Sequence, residues 1–505
     1  MASGGPVNDH RCWFSIIDGG LCYTAPIIFP LYVGLYRWSV FLLLRVIPSL
    51  FYRQIKPKKV GDKNVEEGEY IYTKHDVTCI IPVYEPPPSF VKTIEHLLRN
   101  DPAKIIVVAD ITCFTEIKDM CAPYPTVEVI SESKPGKRPA LLSGLKATKT
   151  KLIAFVDDDV QWVDTFLEIL VAPFQNPRIG GVGVKQVARI SSIFDIIQIL
   201  ADMRLAVRYL ELRASTAMDK GCSCISGRTG CYRTDILQTE DFYDYFINEK
   251  FCGMQLQSGD DKCVTRYMYK TGHKTYHQFG ENCKLSTSFE TGMKFLKQNL
   301  RWSRNTWRSD IKCIFVERYI WKVCPITAFM LLDKMVTPFT MMFGLIYIPV
   351  LTIMGGNYWL IIAWVVWLFV SRCMKLCYYI WDHPLSIIYI PLFIPFSYML
   401  AMVRIYTLFT LSNRAWGSRN ISVINNQVVR VGDKAEKTDS STSSTPTNEP
   451  EVILEMSPIK TIYETETTVT EQNSTPNTPV TPITPITPVV APEPVAQETN
   501  KNNDN

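Results

Sequence analysis

The segment LIAFVDDD, residues Leu152 to Asp159, decides the fold. Five apolar residues end abruptly in three carboxylates, the pattern of a short buried strand whose end opens onto a polar edge. Working outward, Val77–Val83 (VTCIIPV), Lys104–Ala109 (KIIVVA) and Thr126–Ser131 are similar β-branched runs. Helix-like stretches, Phe90–Arg99 and Arg138–Ala147, lie between them. Strands alternating with helices predict an α/β domain with an open, mainly parallel sheet over residues 70–310. Ligands on such sheets bind beyond the carboxyl ends of the strands, where Asp157, Asp158 and Asp159 stand.

The surroundings of this domain are of two other kinds. Gly19 to Tyr36 are 18 uncharged, mostly apolar residues, and the apolar character continues to Tyr52. A bilayer core takes about 20 helical residues, so one span with an interfacial extension is expected over 19–53, after a short segment 1–18. Arg53, Lys56, Lys58 and Lys59 follow, which places the α/β domain on the cytosolic side by the positive-inside rule. A second membrane region is expected over 311–420. Met335–Gly355 and Tyr358–Ser371 read as spans, and Pro-rich Leu385–Val403 as an interfacial helix or a third span. From Lys434 to Asn505 the chain is Thr/Pro-rich, with repeated Thr-Pro pairs from Thr475 to Pro488. Such a segment cannot bury enough apolar surface to fold.

Averages over these parts mislead. The chain is 505 residues, 47% hydrophobic and 20% charged, with net charge +4 and mean hydropathy +0.03. The tail carries four lysines against eleven acidic residues, a net −7. The remainder has 49 basic against 38 acidic residues, a net +11. A basic body suits anionic ligands and an anionic membrane face; no nucleic-acid partner is expected. All fifteen cysteines lie in that body without regular spacing, which favours reduced thiols over a disulfide framework.

Five further motifs carry chemistry. Asp157 and Asp159, two apart at a strand end, can share a divalent cation with a nucleotide, although an acidic turn before a helix has the same spelling. Asp110 ends the strand Ile105–Ala109, and Tyr84-Glu85 follow the strand ending at Val83, so three strand ends offer polar groups to one edge. The loop Lys134-Pro-Gly-Lys137-Arg138 is basic and suited to diphosphate. In Gly259-Asp260-Asp261-Lys262 a carboxylate at a helix start could take a proton from a hydroxyl; the plainer reading is a helix cap. Gln298, Arg301 and Trp302 fall within about one helical turn, so an amide, a cation and an aromatic face could meet one ligand or line a membrane surface.

Together these motifs resemble the processive, membrane-bound inverting glycosyltransferases of family 2, which include hyaluronan, cellulose and chitin synthases. The resemblance runs from about residue 70 to 420 and is strongest toward capsule and cell-wall polysaccharide synthases, the fungal type 2 glycosyltransferases in particular. It rests on the ordered set IIPVYE, VVAD, GKR, DDD, SGRTG, GDD, QNLRW and Trp416-Gly-Ser-Arg419. It implies a GT-A domain joined to transmembrane and interfacial helices. It also implies a UDP-sugar donor, Mg²⁺ or Mn²⁺ as cofactor and a growing polysaccharide as acceptor. Tyr84, Glu85 and Asp110 would hold the uridine end, and Lys137 would lie near the diphosphate. Asp157 would bind the nucleotide and, with Asp159, the metal. Asp261 would be the general base, supported by Asp260. Gln298, Arg301 and Trp302 would hold the diphosphate and acceptor end. Ser226, Gly227 and Gly230 would shape the acceptor pocket, and Trp416, Gly417 and Arg419 a gate. The acceptor segment reads Ser-Gly-Arg-Thr-Gly where hyaluronan synthases have Gly-Gly-Pro-Leu-Gly.

The expected product is an extracellular or cell-wall glycan, extruded by a multi-pass protein of the cell membrane in contact with the lipid bilayer; a homo-oligomer is compatible with this. Two rivals make different predictions. A non-processive lipid glycosyltransferase, acting on ceramide or polyprenyl phosphate, would share most of the motifs. A channel or transporter with a regulatory nucleotide-binding domain would use the carboxylates structurally.

Overall fold

The computed structural model describes residues 34–58, 70–355, 358–413, 421–424 and 427–430. The segment 1–18, most of the first expected span, Trp416, Gly417 and Arg419, and the tail 434–505 lie outside the described residues.

A nine-stranded sheet forms the centre of the α/β domain. Its first half consists of β1 (Val77–Val83), β2 (Lys104–Asp110), β3 (Val127–Glu132) and β4 (Leu152–Val156). These strands lie in the order β3-β2-β1-β4 and are all parallel. Every residue of β1 and β4 is buried, because helices cover both faces. Pro82 stays in register with Val108 of β2 but lies beyond the β4 ladder, which stops at Ile80 and Phe155, and on that side its missing N–H leaves no ladder bond unmade.

The second half departs from a mainly parallel expectation. After the two-residue strand β5 (Gln161–Trp162) and the long β6 (Ile179–Ala188), β7 (Thr229–Arg233) inserts between β4 and β6, antiparallel to both. The sheet is therefore mixed. Reversal has a consequence for the site: the residues that precede β7, not those that follow it, arrive at the carboxyl end of β4. Asp157 N–H accordingly donates to the Arg228 carbonyl at 3.0 Å. A small hairpin, β8 (Lys250–Phe251) and β9 (Met254–Gln255), precedes the last two strands. These are β10 (Lys274–Gln278) and β11 (Lys284–Thr287), which both pair with β6, and β11 also pairs with β5.

Against one edge of this domain lie apolar helices. Two of them, Pro325–Val350 and Pro384–Leu408, are long and apolar enough to cross a membrane. The Pro-rich segment expected near an interface is thus one of the two. Trp359–Lys375, read from sequence as a span, has 17 residues, about 25 Å of helix. Much of the surface of these helices is apolar and open: Ile346, Ile353, Trp359 and Leu385 are each more than 60% exposed. Large apolar faces of this kind need a non-aqueous neighbour. Helix Gly292–Ile311 ties the domain to them, since Trp307 Nε1–H donates to Arg404 O at 2.7 Å and Arg308 donates to Leu411 O at 2.7 Å.

Candidate active site

The carboxyl ends of β1, β2 and β4 open into one cleft of about 650 Å³. Tyr84, Asp110, Lys137, Asp157, Asp159, Ser226, Gly227, Asp260, Asp261, Gln298, Arg301 and Trp302 all line it. Residues spread over more than 200 positions of sequence are thereby brought to one wall. Two expected residues among those described are not in that lining. Glu85 is exposed, and Gly230 lies within β7, where a Cβ would meet Ile225 and the Tyr232 hydroxyl oxygen at 2.7 Å. Gly230 serves strand packing.

Lys137 is the hub. It is the first residue of helix Lys137–Ala147, and its Nζ lies 2.6 Å from Asp157 Oδ1 and 3.3 Å from Asp260 Oδ2. Burial works against its charge, but Asp157 and Asp260 outweigh burial and hold it protonated well above the ordinary lysine range. The same contact acts on Asp260. Burial disfavours its ionised form, while Lys137 and then Arg138 draw its carboxyl below the usual range.

The loop before Asp260 needs a left-handed residue, and Gly259 supplies it at φ 85°. Helix Asp260–Lys270 then starts with two carboxylates in its first turn, where the helix dipole favours negative charge. Asp261 Oδ1 accepts from Lys262 N–H at 2.8 Å, and Asp261 Oδ2 accepts from the Cys224 thiol at 3.2 Å. Burial raises the Cys224 pKa well above the thiol range, so it stays a donor. Gly227 packs against the same turn; a Cβ there would come within 3.4 Å of both Asp261 Cβ and Lys137 Nζ. The SGRTG segment and the GDD turn are thus two sides of one slot.

Trp302 meets Phe289 edge-on, with ring centroids 6.2 Å apart. Arg228 covers both rings, 4.8 Å from Phe289 and 5.6 Å from Trp302, and donates to Gln186 Oε1 at 3.0 Å. Gln298 Oε1 is buried and has no hydrogen-bond partner among the described residues. A buried acceptor left open at a cleft wall marks a place for a ligand donor.

Several of these groups escape sequence reasoning. Arg228 sits inside the quoted SGRTG, but its stacking depends on Phe289 and Trp302 arriving from elsewhere. Arg189, whose guanidinium donates to the Asp159 carbonyl at 2.6 Å, belongs to no motif. Cys224 carries a signal only in hindsight, two residues before Ser226.

A divalent cation fits the donor set at Asp157 and Asp159. Burial raises the Asp159 pKa, and the charge of Asp157 raises it further, against the lowering by Arg228 and Arg189. Two carboxylates in mutual repulsion favour an added cation. Among the described residues no three His, Cys, Asp or Glu side chains converge on one point. Ligand oxygens would therefore complete the shell, which is how Mg²⁺ and Mn²⁺ are commonly held with phosphates.

Comparison with known proteins gives the family and the fold. The family model described as "Glycosyltransferase like family 2" matches residues 75–305. A type 2 glycosyltransferase of Pyricularia oryzae is 31% identical over 362 residues, 69% of this chain and 75% of that protein. A hyaluronan synthase of Streptococcus pyogenes is 24% identical over 368 residues, 68% of this chain and 84% of the synthase. Among solved structures, the mannosyltransferase PcManGT of Pyrobaculum calidifontis, in complex with GDP-Man and Mn²⁺, has a TM-score of 0.50 at 14% identity. The likeness covers 79% of this chain and 97% of that one, and it is a likeness of fold, GT-A in type.

Proposed function

The chain belongs to glycosyltransferase family 2, as a relative of the fungal type 2 glycosyltransferases, and from that membership we propose a membrane-embedded polysaccharide synthase. It takes sugar from a UDP-sugar on the cytosolic face, adds it with inversion to a growing glycan, and extrudes a cell-surface or cell-wall product. The observation that carries the polymer reading is the continuity of the cleft. One cavity is lined by the strand-end carboxylates and also by Thr337, Met341, Ser397 and Leu400 of the two candidate spans. A chain elongated at Asp261 therefore has a place to go.

The roles follow from position. Tyr84 and Asp110, both in the cleft lining, would meet the nucleoside, and the Asp110 carboxylate is fixed by Thr112, whose hydroxyl donates to it at 2.7 Å. Lys137 offers its charge to the diphosphate once it is shared with a donor, and Arg301 faces the same cleft. Asp157 and Asp159 would hold Mg²⁺ or Mn²⁺, which supplies charge neutralisation to the departing diphosphate. The acceptor hydroxyl forms its bond to the anomeric carbon as the bond from that carbon to the diphosphate oxygen breaks. Asp261 takes the hydroxyl proton, and the electron pair leaves with UDP. Trp302, buttressed by Phe289 and Arg228, provides the face on which the acceptor sugar rests, and Gln298 Oε1 accepts from a ligand hydroxyl. Charge at the sugar is oxocarbenium-like at the transition state.

Two results test this reading. Membranes incubated with labelled UDP-sugars should yield a product that is insoluble in chloroform and longer than one sugar; a chloroform-soluble, single-sugar product would overturn polymer synthesis in favour of a lipid acceptor. Lys137→Gln should raise the donor KM by about tenfold or more, since a hydrogen bond to a charged group contributes about 1.5–3 kcal/mol. An unchanged KM would remove Lys137 from the diphosphate site.

A further inference from the structure

The cavity that holds the catalytic carboxylates continues past Trp302 between the apolar helices, and there its wall is strongly basic. Arg204 and Arg208, one turn apart on helix Ile196–Met218, come first. Arg404 and Lys334 follow from the two candidate spans, with Arg45 from the helix over 34–50. Farther along stand Arg37, Arg372 and Lys375.

Three acids answer this charge in part. Glu211 pairs with Lys334 at 3.0 Å and with Arg45 at 3.7 Å, and Asp333 pairs with Arg45 at 2.6 Å. Asp310 is shared by Arg404 at 3.4 Å and Lys262 at 3.7 Å. Among the described residues, Arg37, Arg204, Arg208, Arg372 and Lys375 have no carboxylate in ion-pair range. They are held by neutral groups instead: Arg204 donates to Asn299 Oδ1, Arg208 to Cys224 O at 3.0 Å, and Arg37 to Thr337 O at 3.4 Å. Lys375 rests 5.5 Å over the Phe41 ring. Arg404 Nε is buried and has no hydrogen-bond partner among the described residues.

Cations buried beside one another without counter-charge are costly. Arg204 registers that cost, since burial, and then the charges of Arg208 and Arg404, lower its pKa to about 10. The arrangement also has length. Arg37 and Arg45 are eight residues apart on one helix, on the order of 10 Å of rise, and Arg204 and Arg208 stand one turn apart on another. A single headgroup would satisfy one level of such a wall. A chain with anionic groups at intervals would satisfy them all.

We propose that this passage is built for an acidic glycan, a sugar chain bearing carboxylate or phosphate groups along its length, and that such a chain is the acceptor and product. The inference rests on the polymer-synthase reading above and names its substrate class. The test uses the full-length protein in lipid nanodiscs with three probes: a hexasaccharide of alternating glucuronate and N-acetylglucosamine, a neutral N-acetylglucosamine hexamer, and dodecyl phosphate. The acidic hexasaccharide should bind at least tenfold more tightly than the neutral one, and its advantage should shrink as salt is raised. Arg37→Gln with Arg372→Gln should weaken the acidic probe about tenfold, whereas Arg37→Lys with Arg372→Lys should restore it. Equal affinity for the two hexasaccharides, or indifference of the acidic one to the Gln pair, would overturn the inference. Dodecyl phosphate displacing the acidic hexasaccharide at lower concentration than the hexasaccharide itself would also overturn it, in favour of a lipid phosphate. UDP release from UDP-glucose, UDP-N-acetylglucosamine and UDP-glucuronate separates the two levels. Release without preference for the acidic probe removes this inference alone, while absence of release from every donor removes the synthase reading.

Discussion

Asp261→Asn is expected to lower sugar transfer on the order of 10³-fold, within the range lost with a positioned general base, while leaving UDP affinity within a factor of about three. The argument is one of place. Asp261 opens onto the slot between the GDD turn and SGRTG, whereas Asp260 Oδ2 is committed to Lys137 at 3.3 Å. Asn retains an Oδ1 to accept the Lys262 N–H and changes only the oxygen that receives the Cys224 thiol. The substitution therefore tests proton acceptance with little change of shape. Asp260→Asn should behave differently, since it weakens the hold on Lys137, and its larger effect should fall on donor KM. UDP release from membranes, paired with UDP titration, measures both. A D261N protein that keeps its melting temperature and its turnover would show that some other group accepts the proton.

How far the sequence alone could reach is clear from the strands. β1 and β4 occupy Val77–Val83 and Leu152–Val156, the same runs that hydrophobicity picks out, because an apolar segment buried on both faces announces its own limits. The shifts of one residue at β2 and β3 reflect polar ends, Asp110 and Glu132, that are paired but not apolar. β7 was illegible. TGCYR is short and has Gly and Arg near its ends, and its antiparallel placement depends on partners on both sides. The same contrast holds at the site. DDD and GDD are legible as polar groups at element ends and QNLRW as one turn of a helix, yet the Lys137 bridge joins positions 137, 157 and 260. Nothing local encodes that convergence. The basic wall is less legible still, since in sequence Arg37, Arg45 and Arg372 stand as lone charges within or at the ends of apolar runs, and helix packing brings them to one cavity.

The GDD helix, the helix that begins at Lys137 and the helix entering the membrane region share one buried carboxylate, and Glu249→Ala should show what it contributes. Glu249 accepts from Arg138 at 2.5 Å, from Arg266, and from Lys312 at 3.1 Å. Its side chain is 3% exposed, as is that of Arg266, and Arg138 is 1% exposed. Burial alone would make Glu249 hard to ionise, but Arg266, Arg138 and Lys312 outweigh it and depress its pKa. Removing the carboxylate leaves three cations facing one another in a poorly solvated place, where Glu317, 3.0 Å from Arg266 Nε, answers part of their charge. Breaking a buried pair from one side typically costs about 3–5 kcal/mol, which for a domain of this size lowers the melting temperature on the order of 10 °C. Because the folded pKa lies below the unfolded value, the contribution is complete above the ordinary glutamate range and drains away as pH falls through the depressed value. The melting difference between wild type and E249A in detergent should therefore be full at neutral pH and narrow in acid. Arg138 adjoins Lys137, and Arg266 lies one turn beyond Lys262, so the same variant should also weaken UDP binding. A melting temperature within about two degrees of wild type at neutral pH would mean that these cations find water or another anion, and that the network is not what holds the GDD turn against Lys137.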